Sequence, residues 1–140
     1  MKVAIDTNIW ISALLSKDGL NREIIRLALQ DKIYPQISIS LLMEYESVMK
    51  RKKIQTLCPL SISEQEELFH AYISTCKWNE IFYLWRPNLK DKDDDFLVEL
   101  AVASNSKVII TDNKKDLEFS ELRFNFEVLT AKEFLGRNKI

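Results

Sequence analysis

An apolar run near the start of the chain, residues 3–5 (Val-Ala-Ile), ends abruptly in the polar residues Asp6, Thr7 and Asn8. The run is too short for a helix and predicts a buried strand. An amphipathic stretch over residues 9–15 follows at once and predicts a helix. A strand that ends in a carboxylate and leads into a helix places that carboxylate at the carboxyl edge of a sheet, where open α/β sheets bind ligands. The alternative is that Asp6 or Asn8 only caps the helix.

Short apolar runs alternate with stretches of helical periodicity along the rest of the chain. Further strands are predicted within residues 33–39, 80–85, 107–111 and 126–129. Asn21, Ser38, Ser63 and Thr130 are predicted to cap helices, the third of these in a capping box with Glu66. The helix after Ser38 is predicted to end in the basic residues 50–53, and another helix is predicted over 96–103. This alternation predicts an α/β fold with a mostly parallel sheet of about five strands, covered on both faces, in a single domain spanning residues 1–140.

What the chain lacks excludes several kinds of chemistry. Its two glycines, Gly19 and Gly136, belong to no G-x-G-x-x-G or G-x-x-x-x-G-K-[ST] loop, which argues against a bound nucleotide cofactor. Its one histidine, His70, excludes histidine-based triads and multi-histidine zinc sites. Any chemistry must therefore come from carboxylates, amides and hydroxyls.

Composition also bears on where the protein is located and what it binds. No segment approaches the ~20 apolar residues that a membrane span needs, so no membrane partner is expected. Cys58 and Cys76 lack metal-site spacing and are interpreted as reduced thiols, which predicts a cytoplasmic protein. The net charge of −1 neither indicates nor excludes a nucleic-acid partner.

Several acidic residues lie where such a fold would bring strand ends and helix starts together. In the helix after Ser38, Glu44 and Glu46 lie on opposite margins of the apolar stripe, and helical geometry does not choose between them. It does not separate Asp93 from Asp94 at the start of the next buried helix either. The candidate acids are Asp6, Glu44, one of residues 93–95, and Asp112 or Asp116.

The chemistry of such a set follows from its oxygen ligands. Clustered carboxylates repel one another, so a fold retains them chiefly when cations neutralise the cluster. Without histidine or paired thiolates, the ligands favour a hard ion, Mg²⁺ or Mn²⁺. The reaction best matched to these ions is metal-assisted hydrolysis of phosphodiesters.

Several of these stretches, taken in order, resemble one family. The chain resembles the PIN-domain nucleases, in particular the single-domain prokaryotic group related to VapC-type ribonuclease toxins, over essentially its whole length. The stretches that carry the resemblance are I-D-T-N at 5–8, S-I-S-L-L-M-E-Y at 38–45, D-K-D-D-D at 91–95 leading into E-L-A at 99–101, T-D-N-K-K-D-L at 111–117, and T-A-K-E-F-L at 130–135.

The resemblance implies a three-layer α/β/α fold and an acidic site that binds Mg²⁺ or Mn²⁺ and cuts single-stranded RNA. It implies that Glu44, not Glu46, is the acid of the helix. It also selects Asp94 as the third acid, with Asp93 as a reserve. Relatives commonly pair as homodimers and bind a small antitoxin protein, so both kinds of partner are expected here.

The fourth acid position departs from the common pattern of the family. Many relatives carry Asp two residues after the threonine, where this chain has Asn113. Another branch has the spacing T-x-N-x-x-D, which Thr111, Asn113 and Asp116 match. This assigns Asp116 as the fourth acid, with Asp112 in reserve and Thr111 and Asn113 as supporting polar groups. Thr7 and Asn8 are expected to orient Asp6 or a bound water.

Basic and aromatic residues near the predicted acid edge are candidates for RNA contact. Trp10 is expected to pack in the core, while Trp78 and Trp85 are open between base stacking and packing. Residues 50–53 are more typical of a solvated helix end. The cations predicted to contact RNA are Arg86, Lys90, Lys114 and Lys115.

Two other functions compete with a metal-dependent ribonuclease. A phosphatase of the haloacid dehalogenase type would use Asp6 as its nucleophile, but it needs a second Asp where this chain has Asn8. A non-catalytic PIN module that binds RNA or protein is compatible with Asn113 in place of an acid.

Overall fold

The computed structural model describes residues 1–81, 95–117 and 124–137, apart from the side chains of Asp95 and Asp116. These residues form strands β1 (Lys2–Ile5), β2 (Tyr34–Ile37), β3 (Lys77–Trp78), β4 (Val108–Ile110) and β5 (Glu127–Leu129). The helices are α1 (Thr7–Leu15), α2 (Leu20–Leu29), α3 (Ile39–Met49), α4 (Lys52–Leu57), α5 (Ile62–Thr75), α6 (Asp95–Ser104), α7 (Lys114–Leu117) and α8 (Ala131–Arg137).

The five strands form one sheet in the order β3-β2-β1-β4-β5, and every neighbouring pair is parallel. The central strand β1 pairs Val3 with Pro35 of β2 and with Val108 of β4. Residues 3–5 are fully buried, as expected for a strand covered on both faces. The prediction of a mostly parallel five-stranded sheet in an α/β fold is thus confirmed.

The core joins the helices to this sheet. Helix α6 packs against β1 and β2, while α1 packs against α2 and α3. Trp10 is fully buried and stacks on Tyr72, with 5.2 Å between ring centroids, and its ring also contacts Phe69 and Tyr45. Trp10 therefore packs in the core, as predicted. In the part of the chain that the structure describes, no helix is long and apolar enough to span a membrane.

Side-chain caps define where several helices begin. Ser38 accepts a hydrogen bond from the Leu41 amide at the start of α3, and Thr130 caps α8 as predicted, exchanging hydrogen bonds with Glu133. The predicted capping box at Ser63 is wrong by two residues. Ser61 and Glu64 form the box, so Ser63 lies inside the first turn of α5. The predicted cap at Asn21 is also wrong, because α2 begins after Gly19.

Two predicted boundaries differ from the structure. The edge strand β3 lies at Lys77–Trp78, before the predicted range 80–85, and Trp78 pairs with Ile37. Of the predicted range, Glu80 and Ile81 are outside any strand, and residues 82–85 lie outside the described residues. Helix α3 ends at Met49 rather than running into the basic residues 50–53. Lys52 instead begins the separate helix α4. Apolar content indicated these elements, but sheet register and packing decided their limits.

Candidate functional site

Asp6 lies at the carboxyl edge of the sheet, between the end of β1 and the start of α1. Its Oδ1 accepts a hydrogen bond from the Thr7 amide at 2.8 Å, so it does cap α1. Its Oδ2 accepts a second one from the Thr111 hydroxyl at 2.6 Å, just beyond the end of β4. The side chain is held from the start of α1 and from the end of β4, and the residue is only 8% exposed. Capping is therefore one of the contacts that fix this carboxylate, and the hydrogen bond from Thr111 at the end of β4 is another.

Thr7 links Asp6 to the acid of helix α3. Its hydroxyl donates a hydrogen bond to Glu44 Oε1 at 2.6 Å, across a separation of 37 residues. Glu46, which helical geometry left as an equal candidate, is exposed on the outer surface and lies 4.0 Å from Lys50. The structure therefore brings Asp6 and Glu44 together on either side of a single threonine.

The loop after β4 supplies amides and hydroxyls to the same edge. Thr111 is fully buried. Besides donating to Asp6, its hydroxyl accepts a hydrogen bond from the backbone N–H of Asn113 at 3.0 Å. Asn8 accepts one from the Asp112 amide at 3.3 Å, which ties the loop to α1. The Asp112 carboxylate is exposed and accepts a hydrogen bond from the Asn21 side chain at 3.2 Å. This hydrogen bond holds the Asp112 carboxylate towards α2.

Two buried tyrosines form hydrogen bonds at the end of β1. The Tyr45 hydroxyl donates to the carbonyl oxygen of Ile5, the residue before Asp6, and lies 3.1 Å from the Tyr72 hydroxyl. Burial raises the pKa of both phenols well above the usual value, so both hydroxyls remain protonated and able to donate. Sequence analysis missed this contact. The signal available was the position of Tyr45 beside Glu44 on the buried stripe of α3.

A cleft of about 400 Å³ opens beside these groups. We call it the acid cleft. Apolar side chains from α1 and α3 form one part of its wall, and the polar groups described above form the other. Its lining residues are Asp6, Thr7, Asn8, Ile11, Ser12, Leu15, Glu44, Val48 and Asn113.

The family of the chain follows from comparison with known proteins. The family model described as "PIN domain" matches residues 2–115. This chain belongs to the PIN-domain family. Members of this family are generally nucleases, which are hydrolases.

Two individual proteins are similar to this PIN domain. An uncharacterised protein of Methanocaldococcus jannaschii is 28% identical over 148 aligned positions, covering 96% of this chain and 90% of its own. A chain in the crystal structure of VapBC2 from Rickettsia felis, bound to a DNA fragment from the VapBC2 promoter, superposes with a TM-score of 0.59. That match covers 91% of this chain and 97% of the other at 19% identity, and it supports the fold alone.

The remaining predicted acids of the PIN domain are only partly described. Asp93 and Asp94 fall outside the described residues. Asp116 lies within α7, but its side chain is not described. Among residues 1–81, 95–117 and 124–137, no three acidic, histidine or cysteine side chains come close enough to hold a metal ion together. Among the acidic side chains that the structure describes, Asp6 and Glu44 are the two that line the acid cleft.

The donor set of the acid cleft is nevertheless suited to a hard cation. Its polar side-chain donors are the carboxylates of Asp6 and Glu44, the hydroxyls of Thr7 and Ser12, and the amide oxygens of Asn8 and Asn113. Oxygen ligands of this kind are those that Mg²⁺ and Mn²⁺ prefer. The residues present in the cleft therefore fit a divalent ion.

The cations predicted to contact RNA differ in their surroundings. Arg86 and Lys90 fall outside the described residues. Lys114 lies 3.0 Å from Glu133 of α8, in an ion pair that partly neutralises it. Lys115 is exposed on α7, next to the loop that carries Asn113. Exposure makes Lys115 accessible to a phosphate backbone, whereas Lys114 would first have to share or leave Glu133.

Proposed function

We propose that the protein is a Mg²⁺- or Mn²⁺-dependent endoribonuclease that hydrolyses phosphodiesters of single-stranded RNA. The observation that carries this proposal is the Asp6–Thr7–Glu44 arrangement at the carboxyl edge of the sheet, which opens onto the acid cleft. Membership of a family of nucleases supports the reaction class. The oxygen-only donor set supports the choice of ion.

In this proposal the described residues supply two oriented carboxylates for the metal ion. Asp6 is a metal ligand whose orientation is set by the Thr7 amide and the Thr111 hydroxyl. Glu44 is a second ligand, held by the Thr7 hydroxyl. Such hydrogen bonds to ligand carboxylates fix their geometry before the ion binds. The ion would supply Lewis-acid activation of a water and of the phosphate.

Further residues complete the proposed site. Asp94 and Asp116 are proposed as additional ligands, with Asp93 and Asp112 as reserves. Asp112 is the weaker reserve, because its carboxylate accepts a hydrogen bond from Asn21. Arg86, Lys90, Lys114 and Lys115 are proposed to contact the RNA backbone, so binding should weaken as salt concentration rises.

The test is cleavage of a labelled single-stranded RNA with Mn²⁺, comparing wild type with Asp6→Asn and with the control Glu46→Gln. We expect Asp6→Asn to lower the rate at least ~100-fold, because a metal ion contributes several kcal/mol to such reactions. Glu46→Gln should stay within about twofold, because Glu46 is exposed and lies on the outer surface of α3. Equal cleavage by wild type and Asp6→Asn would reject the assignment.

A non-catalytic RNA-binding module is the second candidate. It is favoured by one observation, an amide rather than a carboxylate at Asn113 in the acid cleft. Calorimetry separates the two functions. Absence of Mn²⁺ binding together with tight RNA binding would support the non-catalytic module and reject the nuclease.

We further propose that the protein is the toxin of a toxin–antitoxin pair, acting in the cytoplasm as a homodimer with a small antitoxin as partner. The resemblance of the sequence motifs to VapC-type toxins motivates this role, and the fold shared with a chain of VapBC2 is compatible with it. The free thiols of Cys58 and Cys76 suit a reducing compartment. Induced expression should stop growth, and Asp6→Asn should not. Growth arrest that persists with Asp6→Asn would contradict the toxin role, and a monomeric mass in light scattering would contradict the dimer.

A further inference from the structure

A second cleft, of about 440 Å³, lies beside the end of β3 and the start of α3. We call it the Trp78 cleft, because the Trp78 indole lines it and is 55% exposed. Trp78 pairs with Ile37 through the backbone, and its position at the end of β3 places it at the carboxyl edge of the sheet. An exposed aromatic ring at that edge is a surface on which a nucleic-acid base can stack.

Helix α3 connects the Trp78 cleft to the acid cleft. Ser40 lines the first cleft, and Glu44 and Val48 line the second. These three residues are spaced four apart, so they share one face of the helix, with about 5–6 Å between successive Cβ atoms. A strand whose phosphate lies at Glu44 and that runs along this face towards the start of α3 would therefore reach the Trp78 cleft within about one helical turn.

The polar side chains of the Trp78 cleft are mainly hydrogen-bond acceptors. Glu80 and Glu99 line it with carboxylates, and Glu99 is only 2% exposed. Asn79 donates its amide group to Gln36 Oε1 and to the Lys77 carbonyl, both at 3.0 Å, which leaves its carbonyl oxygen as an acceptor. Among the described residues that line this cleft there is no Lys or Arg. The cleft therefore disfavours phosphate and favours a flat group that carries N–H donors.

We propose that the Trp78 cleft binds one unpaired nucleobase of the RNA, stacked on Trp78, and prefers a base with an exocyclic amino group over uracil. Cytosine and uracil are the sharpest comparison, because they are similar in size and differ at position 4, where cytosine donates and uracil accepts. A base held in the cleft must leave any duplex, so the site selects single strands. This inference rests on the proposed function, since it assumes that RNA is the ligand.

The experiment measures binding of a labelled cytidine hexamer and a uridine hexamer by fluorescence anisotropy in EDTA, so that no cleavage occurs. We expect the cytidine hexamer to bind more tightly and to quench tryptophan fluorescence. Trp78→Ala should weaken its binding about 5- to 150-fold, the range expected for loss of one stacked base, and should remove most of the quenching. Trp78→Phe, which keeps an aromatic ring, should lie between wild type and Trp78→Ala.

Tyr34→Ala is the matched control, because Tyr34 is an aromatic residue, 43% exposed, at the opposite edge of the sheet. It should bind like wild type. Equal binding by Trp78→Ala and wild type, with unchanged thermal unfolding, would overturn the proposal, as would equal affinity for the two hexamers. Binding of an arginine-rich peptide through Trp78, with no binding of the cytidine hexamer, would overturn it in favour of a basic protein segment.

Cleavage is measured separately with Mn²⁺, so the two proposals fail differently. Hexamer binding that does not depend on Trp78, together with Mn²⁺-dependent cleavage, would reject the base site and leave the nuclease standing. Trp78-dependent binding without any cleavage would reject the nuclease and leave the base site standing.

Discussion

The amino edge of the sheet carries a cleft that is larger than the acid cleft at the carboxyl edge, yet the converging acids line the smaller of these two. At the amino edge, a cleft of about 460 Å³ lies beside the starts of β4 and β5. Its Glu127 and Arg137 form an exposed ion pair, and Phe124 stacks on Phe126 with 5.9 Å between ring centroids. At the carboxyl edge, the acid cleft of about 400 Å³ has Asp6 and Glu44 linked through Thr7. Cleft size therefore does not identify the candidate site; the convergence of held polar groups does.

The difference has a physical origin in the direction of the strands. Helices begin at the carboxyl edge of a parallel sheet, and their free N–H groups favour carboxylates there. Asp6 accepts such an N–H and is 8% exposed, so its position is determined by hydrogen bonds that burial makes costly to break. Glu127, by contrast, is solvated, and an exposed ion pair of this kind contributes little to stability.

The largest expected effect compares the same substitution at the two edges. Glu44→Gln removes a proposed metal ligand from the acid cleft and should lower Mn²⁺-dependent RNA cleavage at least ~100-fold. Glu127→Gln, at the amino edge, should change the rate by less than about twofold. Initial rates on one labelled RNA measure both variants. A comparable loss in both would show that the two edges do not differ in function.

A smaller effect is expected from the group that orients Asp6. Thr111→Val removes the hydroxyl that donates to Asp6 Oδ2 and should weaken Mn²⁺ binding by about 10- to 100-fold, the usual cost of losing a hydrogen bond to a ligand. Calorimetry measures the affinity, and Thr111→Ser, which keeps the hydroxyl, should restore it. Thr56→Val, at an exposed threonine of α4, is the control. Unchanged affinity in Thr111→Val would mean that this contact only stabilises the fold.

The hydrogen bond from Tyr45 to the end of β1 should affect stability more than activity. Tyr45→Phe leaves the Ile5 carbonyl without its phenol donor and should lower the free energy of unfolding by about 1 kcal/mol, at the low end for a buried acceptor. Urea denaturation measures this cost. Tyr34→Phe, at an exposed tyrosine, should cost nothing measurable. If the cleavage rate of folded Tyr45→Phe also falls, by more than about tenfold, Tyr45 has a role in positioning Asp6.

The smallest effect concerns pH near the loop of the acid cleft. The Thr130 backbone N–H, with Lys114 nearby, lowers the pKa of Glu133 below its usual value. The stabilising contribution of Glu133 is thus fully present above the unfolded pKa of about 4.3 and is lost as pH falls through the lower folded pKa. Carbon-13 NMR titration of the Glu133 carboxyl should show the lowered value. Replacement of Lys114 by Gln should raise it, and no change would show that the ion pair is not formed in solution.

The sequence predicted β1 and the cap of α8 correctly, because the residues that specify each of them lie within a few positions of one another. Residues 3–5, buried on both faces of the sheet, read as an uninterrupted apolar run, and Thr130 has its capping partner three residues away. The same local reasoning placed one capping box at Ser63 instead of Ser61. Serines two residues apart offer nearly equivalent caps, and the packing of Phe69 and Tyr72 selects the register.

The sequence by itself determined that any chemistry here depends on carboxylates, and that an acid follows the first strand. Helical geometry left Glu44 and Glu46 open. The family resemblance favoured Glu44, but only the tertiary structure showed that Thr7 links Glu44 to Asp6 and that Asp112 bonds to Asn21 instead. The physical reason is distance along the chain. Helical geometry restricts a side chain to a face of its helix, but which neighbour that face meets depends on how helices α1 and α3 pack beside β1, and those contacts join residues that are far apart in sequence.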